Sequence, residues 1–209
     1  MAKTAELTPL GVASLALLAE EPMHPYEMYQ ILMARHEDRL VKVRPGTLYH
    51  AVGRLEENGL VEAAGVEREG NRPERTTYRI TPAGHAALDA RLQDMLAKPV
   101  NEYPTFPHAI AEAHHLPADV VVDLLEQRLI ALEADLDFLT GAEQAVTAKG
   151  LERKYWIDVT YQQAMLRTEI SWIRELLVEL RSGQLPWDNP QPTPSELSNK
   201  PKEPLGKRS

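Results

Sequence analysis

Cysteine is absent from this 209-residue chain, which excludes disulfide frameworks, thiolate metal sites and cysteine nucleophiles. Basic residues are not in excess either, because 23 Lys and Arg are set against 31 Asp and Glu. The net charge of -8 excludes a generally cationic nucleic-acid coat. No stretch approaches the roughly 18 apolar residues of a membrane-spanning helix, so we expect no membrane partner. A cysteine-free chain of ordinary composition fits the reducing cytoplasm, where we expect it to act.

The motifs of several common enzyme classes are missing as well. The sequence has no glycine-rich phosphate loop, no nucleophile elbow of the G-x-S-x-G kind and no H-E-x-x-H zinc motif. His85 and the acids around it show no triad pattern. We therefore predict that the chain is not an enzyme and that it needs no cofactor.

Apolar residues spaced three and four apart predict three helices in the first part of the chain. We place them at residues 9–21, 26–36 and 45–58. The first follows Thr8, an N-cap before a first-turn proline, and acidic residues on both sides argue against a secretory signal. The third helix has an apolar face of Leu48, Val52 and Leu55, and we assign to its other face Thr47, His50, Ala51, Arg54 and Asn58.

Two strand candidates follow the third helix, at residues 60–66 and 76–80, and a long polar segment joins them. A fourth helix then runs to about residue 98. Three helices, a hairpin and a helix in this order are typical of a winged helix, in which the third helix enters the major groove and the hairpin tip lies on the flanking backbone. We therefore predict a winged-helix DNA-binding domain over residues 1–98.

A basic window lies inside this acidic chain, since residues 39–55 hold four Arg or Lys and no Asp or Glu. From the third helix, Thr47, His50 and Arg54 can reach phosphates or base edges. Arginines at the hairpin tip suit phosphate or a narrow minor groove. The residues predicted to bind DNA are Lys42, Arg44, Thr47, Tyr49, His50, Arg54, Arg72 and Arg75.

An alternative interpretation assigns the same residues to structure and solvent. Tyr49 would pack its ring under the hairpin, and Arg54 would pair with Glu57 or Glu27 as a surface charge. The hairpin arginines would then belong to a solvated loop of alternating charges. For the whole chain, the alternative to a regulator is a dimeric helical adaptor that binds protein partners without sequence-specific DNA recognition.

Two heptad seams dominate the second half, running from Val122 to Leu139 and from Trp156 to Leu180. They predict an antiparallel or coiled-coil-like helical domain at residues 99–183 that pairs two chains. We expect an interruption between Gly141 and Gly150, although the middle of that segment can still be helical. Gln163 is a candidate polar group for setting the register. The positions predicted for dimerisation are Leu125, Leu129, Leu132, Leu136, Trp156, Val159, Leu166, Ile170, Ile173 and Leu177. A proline-rich disordered tail is predicted at 184–209.

One histidine-rich pattern stands between the halves. His108, Glu112 and His115 are spaced four and three apart, which on one helix would place two imidazoles and a carboxylate on one face. No cysteine or second acidic cluster completes a site, and the flanking prolines favour a helix start with surface histidines. We therefore predict no metal centre and keep these three as weak candidates.

The first half resembles the PadR-like family of transcriptional regulators. The resemblance rests on HPYEM at 24–28, GTLYHAVGRLEENGLVE at 46–62, RPERTTYRITPAG at 72–84 and a tryptophan-bearing helix near the end. It implies a homodimeric winged-helix DNA-binding protein, usually a repressor, with C-terminal helices at the dimer interface. Arg44 stands where a small capping residue is common in the family, and Pro25 stands where glycine is common. The long second half resembles the subgroup with a larger C-terminal domain.

Together these observations predict a homodimeric repressor that reads an inverted-repeat operator in double-stranded DNA and is released by a small-molecule effector. Paired recognition helices would lie about one helical turn apart. The drug-binding role of the family's small subgroup is not carried over, because the longer C-terminal domain fills space with its own side chains.

Overall fold

The computed structural model describes residues 7–67 and 75–187, and for Val66, Glu67 and Arg75 it describes the backbone alone. The chain divides into two compact units, Met1–Asn101 and Glu102–Ser209. Throughout the described ranges, no helix combines the length and the apolar character needed to cross a membrane.

The described residues of the N-terminal unit form four α-helices and a two-stranded antiparallel sheet, which confirms the prediction of a mainly α fold with a small β-hairpin. Its elements are α1 (Pro9–Glu20), α2 (Pro25–Ala34), α3 (Pro45–Glu57), β1 (Val61–Glu67), β2 (Arg75–Ile80) and α4 (Pro82–Ala97). α2 ends two residues before the predicted His36, because that residue adopts the left-handed conformation with φ 58° and a short 3-10 turn follows.

Helix starts in this unit follow a repeated pattern of a capping residue and a first-turn proline. The Thr8 hydroxyl caps α1, and the Thr81 hydroxyl caps α4. α2 is capped by His24, whose ring accepts from a first-turn amide while Glu27 accepts from the His24 amide at 2.9 Å. Only α3 departs from the pattern, since its N-cap residue Arg44 makes no side-chain capping bond.

The core of the N-terminal unit fills the space between α1, α2 and α3. Its fully buried side chains include Leu15, Met28, Leu32, Leu48 and Val52. Val61 at the start of β1 and Leu88 on α4 close the cluster from the other side. This packing fixes α3 against α1 and α2 and leaves one face of α3 uncovered.

The hairpin pairs Val61 with Ile80, and a bulge between Ala63 and Gly65 shifts the register further along. An isolated bridge extends the sheet on its other side, where Met23 and Tyr78 exchange two backbone hydrogen bonds of 3.1 Å. The segment between α1 and α2 thus acts as a minimal third strand, and it ties the hairpin to the helical core.

The C-terminal unit is built on two long helices. Its elements are α5 (Thr105–Ala111), α6 (Ala118–Ala148) and α7 (Ile157–Ser182). α6 runs through Gly141, so an interruption starting at that residue was wrong: a single glycine in a well-packed helix does not end it. The helix stops instead at Gly150, which is left-handed with φ 69°.

α6 and α7 lie antiparallel, because residues early in α6 pair with residues late in α7. Arg174 binds Glu133 at 2.7 Å and Arg181 binds Glu126. Near the other end, Gln163 donates to the Leu139 carbonyl at 3.2 Å. The two heptad seams therefore face each other within one chain.

The positions predicted for dimerisation form most of this intrachain seam. Buried in it are Leu125, Leu132, Ile170, Ile173 and Leu177, with Leu129, Leu136 and Leu166 partly buried against them. Trp156 and Val159 lie at the start of α7 and are half-buried. A role for these ten residues between chains remains a prediction.

The folded chain extends beyond the predicted start of the tail at residue 184. Leu185 and Trp187 pack against the C-terminal core, and the Trp187 indole donates to the Leu116 carbonyl at 2.8 Å. The sequence did not predict this contact, because Leu185 and Trp187 are not part of a helical apolar pattern. The rest of the predicted tail, residues 188–209, lies outside the described residues.

Candidate nucleic-acid interface

The two faces of α3 differ sharply in burial. Leu48, Ala51, Val52 and Leu55 are at most 4 % exposed and pack into the core. The assignment of Ala51 to the polar face was therefore wrong: it stands three residues after Leu48 and four before Leu55, within the apolar stripe. The exposed face carries Thr47, Tyr49, His50 and Arg54.

The start of α3 is held by its own backbone and by α2. The Thr47 hydroxyl donates to the Arg44 carbonyl at 2.8 Å, and the side chain is exposed. The Tyr49 ring meets the His24 ring edge-on, with centroids 5.8 Å apart at 73°. Tyr49 remains 46 % exposed, so its hydroxyl is accessible beside the capped start of α2.

Charge on this face is positive. Lys42, Arg44 and Arg54 are exposed, and among the described residues Arg54 is in no ion pair with Glu57 or Glu27. Other arginines of the unit are neutralised locally: Arg35 forms a two-pronged pair with Glu20 at 2.6 and 2.7 Å. The hydrogen bond from Arg35 lowers the pKa of that carboxyl. The cations around α3 therefore remain available to an anion.

The hairpin beside α3 is fixed to it through Tyr78, whose hydroxyl donates to Glu56 at 3.4 Å. Arg79 on the neighbouring position pairs with Glu62 across the strands at 2.8 Å. Of the predicted tip residues, Arg72 lies outside the described residues, and only the backbone of Arg75 is described. Their contribution to binding remains a prediction.

The link between the hairpin and α3 has a measurable pH signature. Burial raises the pKa of Tyr78, and the nearby negative charge of Glu56 raises it further. The neutral phenol thus stabilises the fold below the ordinary tyrosine pKa of about 10, and that contribution is lost as the pH rises through the higher folded value. We expect Glu56→Gln to lower the pKa of Tyr78 while leaving it above the ordinary value, because the burial remains. NMR titration of ring-labelled tyrosine measures this shift, and an unchanged pKa would contradict the contact.

The histidines predicted as weak metal candidates do not share one helical face. α5 ends at Ala111, and a separate 3-10 turn, Ala113–His115, follows it. Pro117 disfavours helical backbone at the residue before it, and Leu116 is extended with φ -108° and ψ 151°. Within the described part of the chain, the residues close enough to share one ion are Glu112, His114 and His115.

A three-helix core, an exposed third helix and an adjacent antiparallel hairpin define a winged helix-turn-helix domain. The model of the transcriptional regulator PadR-like family matches residues 15–90. This match confirms the resemblance to the PadR-like family that the sequence motifs indicated. The family is one of transcription regulators and not of enzymes.

Several solved structures share the fold. Bacillus subtilis PadR in complex with operator DNA is 17 % identical and superposes with a TM-score of 0.68, covering 83 % of this chain and 99 % of its own. The structure of the same protein in complex with p-coumaric acid is 17 % identical and has a TM-score of 0.66. The match covers 82 % of this chain and 98 % of that one. The Streptococcus mutans protein smu.1604c is 19 % identical and has a TM-score of 0.61. The match covers 82 % of this chain and 99 % of that one. No curated protein matches the sequence.

Proposed function

We propose that this chain is a transcriptional regulator that binds double-stranded DNA sequence-specifically through α3. The observation that carries the proposal is the exposed face of α3, where hydrogen-bonding and cationic side chains project from a helix whose opposite face is core. From Pro45 to Leu55 the helix has no acidic residue that would repel phosphates. The relative crystallised with operator DNA supports the same use of the fold.

The exposed side chains divide into two roles by their position. Thr47 and His50 lie in the first turns of α3, from which side chains reach base edges when a recognition helix enters the major groove. Arg54 stands one turn further along and suits guanine or a phosphate. Lys42 and Arg44 precede the helix and would contact the backbone, adding salt-dependent affinity without sequence choice.

We further propose that two chains pair through the C-terminal unit, so that two copies of α3 read an inverted repeat. The apolar seams of α6 and α7 pack against each other within one chain. The contact between copies would therefore use the outer surfaces of these helices. Large apolar side chains remain exposed there, including Ile130 at 70 % and Tyr161 at 67 %. Light scattering should show twice the 23.5 kDa mass of one chain.

In this proposal the protein acts as a repressor that an effector releases. An effector that prefers one arrangement of the two chains would change the spacing of the paired α3 helices, and the coupling is limited by that preference. The relative crystallised with p-coumaric acid supports a small molecule as the effector.

Fluorescence anisotropy tests the DNA-binding function directly. The purified chain is titrated into labelled DNA from upstream of its own gene and into a shuffled duplex, each at two salt concentrations. Phosphate attraction weakens steeply with salt, whereas base reading keeps the preference for one sequence. We expect a preference for the upstream duplex at both salts; equal binding to both duplexes, or none, would favour the adaptor function.

Replacing Arg54 with alanine should weaken binding to the preferred duplex by about 5- to 150-fold. This range corresponds to the roughly 1–3 kcal/mol of one good base contact. The matched control is Arg153→Ala, which removes an exposed arginine from the C-terminal unit. Circular dichroism checks that both variants keep their helices. If Arg54→Ala binds like the control, the assignment of α3 as the reading element fails at this position.

A further inference from the structure

Three metal-ligating side chains converge between α5 and α6. Glu112 is the C-cap residue of α5, and His114 and His115 lie in the 3-10 turn that follows it. One ligand atom of each lies within 4.8 Å of those of the other two. The two imidazole rings are only 4.2 Å apart between centroids.

The hydrogen bonds around this cluster suit metal binding. Nδ1 of His114 lies 3.3 Å from the Ala111 carbonyl, and when it carries the proton it donates there and leaves a lone pair on Nε2. Metal-bound histidines typically donate their other ring N–H to such an acceptor, which fixes the tautomer and the ring orientation. Nε2 of His115 lies 3.6 Å from Glu112, so the carboxylate is already beside the second imidazole.

The turn that carries these side chains is anchored to the C-terminal core. Ala113, between Glu112 and His114, is 8 % exposed and belongs to the buried cluster. On the other side of the histidines, the Leu116 carbonyl accepts from the Trp187 indole. The backbone is thus held on both sides of the turn, while all three ligating side chains are exposed.

We propose that Glu112, His114 and His115 form a binding site for one divalent transition-metal ion of the Zn²⁺ or Ni²⁺ class. Two imidazoles and one carboxylate are a known ligand set for zinc with an open fourth position. With bonds of about 2.1 Å, tetrahedral ligand atoms lie about 3.4 Å apart, so rotation of exposed side chains closes the site. Mg²⁺ and Ca²⁺ are poorly suited, because they prefer several oxygen ligands. The proposal is independent of DNA binding.

Isothermal titration calorimetry of the tag-free full chain tests the site with Zn²⁺, Ni²⁺ and Mg²⁺ salts. We expect one Zn²⁺ and one Ni²⁺ per chain and no heat of binding with Mg²⁺. Ni²⁺ should also quench Trp187, and quenching should fall in Trp187→Phe. An absence of Zn²⁺ binding, or equal binding of Mg²⁺, would overturn the proposal.

Single variants locate the ion. His114→Gln and His115→Gln should each weaken Zn²⁺ binding at least tenfold, and Glu112→Gln should weaken it as well. His108→Gln is the matched control, since this histidine lies on α5 outside the cluster and should bind like the wild type. All four residues are exposed, so the variants should fold, which circular dichroism checks. If the cluster variants bind as tightly as the control, the ion is held elsewhere and the assignment is wrong.

Discussion

Gly84→Ala should destabilise the N-terminal unit by about 1–3 kcal/mol or more, which is the cost of overpacking a site that cannot relax. A Cβ atom at this position would stand 2.1 Å from the Leu60 carbonyl oxygen and 2.7 Å from Cγ1 of Ile80. The carbonyl cannot swing away, because it accepts the Thr81 amide at 3.0 Å. α4 would have to move away from Leu60 and Ile80, which flank the hairpin.

Hydrogen exchange measures this effect in the N-terminal unit separately from the C-terminal unit. All three tryptophans, Trp156, Trp172 and Trp187, belong to the C-terminal unit, so their fluorescence does not report directly on the N-terminal unit. The matched control is Gly53→Ala on α3, where no atom lies within 4 Å of the added Cβ. That change should stabilise the helix by up to about 1 kcal/mol. Equal protection in the two variants would contradict the close approach at Gly84.

The N-terminal unit could be predicted well because its boundaries are set by local chemistry. Thr8 and Thr81 each precede a proline and cap a helix, and both appear in the structure as hydroxyl caps. Gly59, with φ 68°, ends α3 where the sequence placed the end. Ala51 was wrongly assigned to the polar face because its small side chain carries little hydropathy signal. Its spacing from Leu48 and Leu55 would have placed it on the apolar face.

In the C-terminal unit, the heptad pattern predicted the helices but not the partner against which each helix packs. A heptad seam requires a partner helix but does not specify whether that helix comes from the same chain. Here the short connection between α6 and α7 allows an antiparallel hairpin, and Gln163 fits it by bonding to Leu139 and Glu143 of α6. The grouping of Glu112 with His114 and His115 was not predicted, because the helical spacing assumed one continuous helix through Glu112, whereas α5 ends at Ala111.

Replacing Ile173 with glutamate should unfold the C-terminal unit, because this residue lies in the seam between α6 and α7. Ile173 is fully buried between α6 and α7, and Ile170 and Leu177 pack beside it in the same cluster. Among the described residues, no arginine or lysine is buried, so none lies within the apolar core to pair with a carboxylate there. An unpaired charge placed there costs several kcal/mol, on the order of 3–5 by comparison with broken buried pairs.

Tryptophan fluorescence and circular dichroism measure the loss, and two controls separate burial from charge. Val178→Glu places the same charge on the same helix at a site that is 63 % exposed, so the unit should remain folded. Ile173→Val keeps an apolar side chain and should cost only about 0.5–1.5 kcal/mol. If Ile173→Glu kept the helicity and cooperative unfolding of Val178→Glu, the seam would not be buried within one chain. Because the intrachain seam must form before any outer surface of α6 and α7 exists, Ile173→Glu should abolish pairing of chains as well, whatever surface they use.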